Sequence, residues 1–174
     1  MTAIFGPDDA APDYSTYIDK VRDGDILSIL EAQAASTRAL WSGISEEQSH
    51  YRYAPGKWTI KEAGSHVNDT ERVFAFRALW FARGFPDPLP SFDQDVAIAG
   101  SGANARSWRS HVDEFGDVRA ATLAFFRQLP PDAWTRRGVA GGNPFSVRAL
   151  AYIIAGHVEH HDAILRDRYL TPAG

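Results

Sequence analysis

Four stretches of this chain repeat apolar residues at spacings of three and four, and glycine or proline interrupts each of them; this pattern constrains the fold most. Ile26, Ile29, Leu30, Thr37, Leu40, Trp41 and Ile44 form one stripe, with Glu31, Gln33 and Arg38 turned outward, and predict a helix over 25–42 that Gly43 stops. Thr59 and Glu62 fit a capping box, so a second helix begins near Ile60 and runs through Val67, Phe74, Ala78 and Phe81 to Gly84, where Pro86, Pro88 and Pro90 follow. A third, over 107–128, carries Trp108, Val112, Phe115, Val118, Thr122 and Phe125 and ends before Pro130-Pro131. Ser146 caps a fourth over 147–168. Period-two alternation is almost absent, so the expected class is all-α, a four-helix bundle.

The connection over 83–106 is long for such a bundle. A helix of about 22 residues spans ~33 Å, and some two dozen extended residues at ~3.3 Å each cover that length. The second and third helices can therefore run parallel, giving up-down-down-up order. The glycine-rich 136–144 segment reads as a turn or small hairpin, and 1–23 as an irregular leader packed on a single domain covering 1–174.

Composition narrows the function. The chain has 174 residues, with 18 Lys+Arg against 22 Asp+Glu and a net charge of −4, so it lacks the basic excess that binds phosphate backbones and no nucleic-acid partner is expected. With no cysteine there is no disulfide, zinc ribbon or thiolate nucleophile, and any metal must be held by His, Asp or Glu. The longest apolar run, 149–156, is far too short to span a membrane, and no basic signal-peptide start is present. A cytoplasmic protein acting on a small molecule is the expectation.

The histidines carry the chemistry. At about 100° per residue, His157 and His161 lie one turn apart on the core side of the fourth helix, with Leu150, Ile154, Ile164 and Leu165. The same arithmetic places His66 on the buried face of the second helix, beside Ala63, Thr70, Val73 and Phe74. Two imidazoles one turn apart converge on a point, and a third from a facing helix completes a three-ligand set that leaves a position open for water or substrate. Buried neutral histidines bonded to hydroxyls or carbonyls are the competing reading. His160 lies on the flank of the same face, as an outer neighbour or a substitute ligand. A di-iron carboxylate site is excluded, since the single Glu-x-x-His match, Glu47 to His50, falls in a loop. Glu159 points away from His161 and is not placed as a general base.

The stretch from Lys57-Trp58-Thr59 through Glu62 to His66, followed by Asp69, Glu71 and Arg72, resembles the K-W-S/T-x-x-E-x-x-x-H-x-x-D-x-E-R signature of the DinB-like superfamily. Ala155-Gly156-His157-Val158-Glu159-His160-His161 is similar to its second signature, and the likeness extends over all four helices. The resemblance implies an up-down-down-up bundle with a divalent metal on His66, His157 and His161; three imidazoles accept zinc, nickel, cobalt or iron, and zinc or nickel is the expectation. It leaves the reaction open between hydrolysis and thiol S-transfer, because known relatives include thiol transferases, a thiol-dependent maleylpyruvate isomerase and metal-dependent hydrolases. A low-molecular-weight thiol is then a possible second cofactor, deprotonated on the metal, and a homodimer a possible assembly. The alternative is a non-catalytic metal- or ligand-binding stress-response protein.

Further side chains are singled out by position. Arg77 shares the His66 face three turns on and calls for an acidic partner, expected in Asp93 or Asp95, either as a loop-pinning ion pair or as an anchor for an anionic substrate. Asp69 either orients the His66 imidazole or solvates the helix surface. Tyr51, Tyr53 and Trp58 wall a pocket or pack in the core. Glu71 and Arg72 read as exposed-face charges.

Overall fold

The computed structural model describes residues 5–171. Its elements are α1 (Ser15–Val21), α2 (Ile26–Ser42), α3 (Ile60–Ala82), α4 (Gln94–Gly100), α5 (Trp108–Arg127), the hairpin β1 (Arg137–Ala140) and β2 (Asn143–Ser146), and α6 (Val147–Ile164), which runs on into a π-turn over Leu165–Tyr169. The long helices start where their caps say. In α3 the Glu62 N–H donates to Thr59 Oγ1 at 3.0 Å and the Thr59 N–H to Glu62 Oε2 at 2.7 Å, so two orphan donors of the first turn are satisfied reciprocally. Ser146 Oγ accepts from the Ala149 N–H at 3.1 Å and caps the start of α6 with a single bond.

Contacts between helices fix their order and direction. Along α2 and α6, Gly24 meets Tyr152, Gln33 meets Ala155, and Thr37 and Trp41 meet Asp162, so numbering rises together and the two run parallel. Along α3 and α5, Asn68 meets His111 and Glu71 meets Arg119, again parallel. Between α2 and α5, Trp41 meets Trp108 while Glu31 meets Arg127, and between α3 and α6, His66 meets His157 while Trp58 meets Tyr169, both antiparallel. The result is an up-down-down-up four-helix bundle. The hairpin over 136–144 is present, and the 83–106 connection crosses over as expected while carrying the short α4.

The core has two apolar clusters, one around Leu30, Phe81, Phe126 and Leu150 and the other around Trp41, Val67, Trp108 and Phe115. Between them each long helix contributes buried polar groups: Gln33 and Thr37, His66, Thr70 and Glu71, Arg119 and Thr122, and His157. Glu71 and Arg119, 2% and 0% exposed, form a bidentate ion pair with both N–O distances 2.8 Å. Arg119 also donates to the Leu30 carbonyl and to Gln33 Oε1, and Gln33 Nε2 donates to the Ala155 carbonyl. One hydrogen-bonded chain thus ties all four helices at mid-height, with its charges paired as a buried ion pair requires.

Three expectations are corrected. Glu71 is not an exposed-face charge, because the parallel α5 places Arg119 opposite it; Arg72 is exposed but reaches Glu114 of α5 at 2.8 Å. Gln33 faces inward, where its amide joins the Arg119 chain. The 1–23 leader is not wholly irregular: α1 packs on α6 with Ile18 buried. This approach depends on Gly156, where an added Cβ would lie 2.0 Å from the Tyr17 carbonyl oxygen. Residues 1–4 of that leader lie outside the described residues.

Candidate metal centre

His66 comes from α3, and His157 and His161 come one turn apart from the facing α6. His66 and His157 are 5% and 4% exposed. Their Nε2 atoms stand 3.0 Å apart, and one ring nitrogen from each of the three histidines lies within 4.8 Å of the others. Ring centroids are 4.9 Å apart for His66 with each partner and 4.5 Å for His157 with His161. Three imidazoles bound to one tetrahedral ion at ~2.0–2.1 Å hold their nitrogens about 3.3 Å from one another. The cluster has that scale, so the residues fit a divalent ion.

Electrostatics agree with the donor set. Burial pushes the His66 imidazole down to about 4 and His161 down to about 3, with neighbouring histidines adding to the effect, and holds His157 well below the ordinary range. All three rings are therefore neutral near pH 7, the form in which imidazole offers a lone pair to a metal. Thr70 Oγ1 lies 3.3 Å from His66 Nδ1, the nitrogen turned away from the cluster. The Trp58 ring packs on His66 at 4.9 Å and the Tyr17 ring on His157 at 5.4 Å. On the far side of His161, Asp162 accepts from Thr37 Oγ1 at 2.5 Å and from Trp41 Nε1 at 3.0 Å, which pins α6 to α2 beside the cluster.

Two cavities meet these histidines. One, of about 280 Å³, is lined by Tyr53, Trp58, Asp95, His161 and Tyr169. The other, of about 220 Å³, is lined by Tyr17, His66, Thr70, Arg77 and His157 with part of the crossover. The crossover contributes to both, through Gln94 to the second and Asp95 to the first.

The DinB superfamily profile matches residues 29–165. The chain belongs to the DinB superfamily. No curated protein matches it in sequence. Among solved structures, this DinB-superfamily chain is similar to YfiT from Bacillus subtilis, described as a probable metal-dependent hydrolase with an unusual four-helix bundle topology; identity is 13%, the TM-score 0.73, and 95% of this chain and 91% of that one are covered. It is also similar to a mycothiol-dependent maleylpyruvate isomerase, at 14% identity and a TM-score of 0.68, with 84% of this chain and 59% of that chain covered.

Other side chains singled out in the sequence fall into place differently. Tyr53 and Trp58 wall the larger cavity, while Tyr51 is exposed. His160 stands outside the three-nitrogen group, its ring 5.1 Å from His161 and 5.5 Å from Tyr17. Asp69 does not orient His66; it pairs with Arg72 at 3.3 Å, and Thr70 occupies the position by Nδ1 because i+4 falls nearer the His66 direction than i+3. Arg77 pairs with neither Asp93 nor Asp95. Asp93 caps α4 by accepting from the Asp95 and Val96 N–H groups, and Asp95 follows in its exposed first turn, so Arg77 donates instead to the Pro90 carbonyl at 3.1 Å. Thr70, Asp162 and Tyr17 were not assigned roles from sequence; Thr70 alone had a signal, its place on the His66 face.

Proposed function

We propose that this protein is a metal-dependent enzyme that holds one divalent ion on His66, His157 and His161 and turns a small nucleophile, water or a low-molecular-weight thiol, onto a small-molecule electrophile. The observation that carries the reading is the convergence of three neutral imidazole nitrogens within 4.8 Å, with His161 lining one cavity and His66 and His157 lining another. A bound ion supplies a Lewis-acid position at which water or a thiol loses its proton near neutral pH.

The chain's own residues do the rest. His66, His157 and His161 present lone pairs from two helices held in register by the Glu71–Arg119–Gln33 chain. Thr70 holds the rotation of the His66 ring from Nδ1. The Trp58 and Tyr17 rings pack against His66 and His157 and limit how far those imidazoles can turn. The two cavities allow the nucleophile and the electrophile to approach from different sides, which suits a two-substrate transfer as well as hydrolysis. Zinc and nickel both accept this donor set.

The test is a panel of activated esters and amides, and of small thiols with electrophilic acceptors, assayed with metal-loaded protein before and after chelation. Turnover abolished by the chelator and restored by metal is the expected result. Metal binding without turnover across the panel would favour a ligand-binding protein instead.

A further inference from the structure

The core contains two inward-facing arginines with opposite circumstances. Arg119 is matched by Glu71 and two carbonyl-type acceptors. Arg77, 5% exposed, has no carboxylate partner among the described residues: one N–H group goes to the Pro90 carbonyl, the Tyr14 hydroxyl stands beside it, and the rings of Phe74 and Phe145 lie 5.5 and 5.9 Å from the guanidinium carbon. A guanidinium offers five N–H donors and keeps its charge at any ordinary pH. A buried charge without a counter-ion is costly to the fold.

That charge faces the smaller cavity. Among the described residues Arg77 is the one Lys or Arg along its wall and no Asp or Glu lines it, while His66 and His157 stand at its other side. The Phe74 ring bridges the two, close to Arg77 on one side and with its centroid 6.4 Å from the His157 ring on the other. A single planar cation with free N–H groups, set among aromatic rings, matches a carboxylate in charge and shape; a phosphate dianion calls for a second positive charge, and among the described residues the wall holds only Arg77 beside neutral hydroxyls and amides.

We propose that this cavity receives a small carboxylate-bearing substrate, with the carboxylate on Arg77 and the reacting end toward His66 and His157. The inference names the substrate class for the catalytic reading above and rests on it for the second half of the statement; the anion site itself is independent of the metal. Asp93 and Asp95 leave Arg77 unpaired because the α4 cap uses the first and the exposed turn carries the second. The guanidinium therefore stays open to a ligand.

The experiment uses full-length protein, metal-free and metal-loaded, with benzoate and benzamide as matched probes read by calorimetry and by thermal unfolding. Benzoate should bind and stabilise the metal-free wild type while benzamide does not. R77Q should weaken benzoate binding about tenfold or more, a loss of ~1.4 kcal/mol per factor of ten, with R77K in between because the charge remains and the fork is lost. Metal content of R77Q should equal that of wild type. Equal benzoate affinity in wild type and R77Q, or equal binding of benzoate and benzamide, overturns the proposal and leaves the metal reading intact. Arg77-dependent benzoate binding in a protein that takes up no metal supports the anion site and removes the catalytic reading. Should R77Q fail to fold, the wild-type pair decides: no benzoate-specific stabilisation at about 10 mM overturns the proposal.

Discussion

His66 Nε2 and His157 Nε2 face each other 3.0 Å apart across the antiparallel contact of α3 and α6. Two neutral imidazoles at that distance cannot both present lone pairs without a proton or a cation between them. Burial strips charge from both rings, and His161 adds a third nitrogen from the next turn. The arrangement is suited to a shared metal ion, and the surrounding residues set how firmly the rings are held.

Thr70 is the first such residue. Its hydroxyl, 3.3 Å from His66 Nδ1, fixes the imidazole from behind. T70V keeps the shape and removes the hydrogen bond, and should lower metal affinity about tenfold, the low end for outer-shell partners. Competition with a chromophoric chelator measures this; an unchanged affinity would show that Thr70 does not orient the ring.

The Glu71–Arg119 pair is required for the fold more than for the chemistry. E71A leaves a fully buried guanidinium without its counter-ion and should cost ~3–5 kcal/mol in urea unfolding. The E71L/R119M double variant should recover most of that loss, since both charges go together. A double variant as unstable as E71A would place the stabilisation in the ion pair itself.

Gly156 seats α1. In G156A the new Cβ would meet the Tyr17 carbonyl, so α1 has to move away from α6. The expected effects are a loss of ~1–3 kcal/mol and faster hydrogen exchange in residues 15–21, with Tyr17 withdrawn from His157. Unchanged exchange in α1 would contradict the packing described.

Tyr169 reports on the other end of the site. Its hydroxyl donates to the Trp58 carbonyl at 2.8 Å, and burial, with Tyr53 and Glu62 adding to it, pushes the phenol up to about 12. A raised acid stabilises the folded state fully below the unfolded value of 10, and that contribution is lost as pH rises through about 12. Spectrophotometric titration of wild type against Y169F should therefore show one phenol ionising late. A difference curve centred near 10 would contradict the assignment.

Much of this site was legible in the sequence because helix periodicity alone puts His66, His157 and His161 on inward faces, and capping residues date the helix starts to within a residue or two. The same logic found Thr70 on the His66 face. What periodicity cannot give is the rotation of one helix against another, which decides that Glu71 meets Arg119 and that Gln33 turns inward. Nor does it foresee local competition for a side chain: Asp93 is taken by the α4 cap, so Arg77 turns to the Pro90 carbonyl. The helix α1, only seven residues long, is too short to establish a period and is held by packing on α6 at Gly156.

Metal content tests the central claim most directly. After incubation with zinc or nickel and gel filtration, elemental analysis of the wild-type protein should give about one divalent ion per chain, and H157A, folded by circular dichroism, should give close to none. Equal and negligible metal in both proteins would mean that the three imidazoles are packing residues and not ligands.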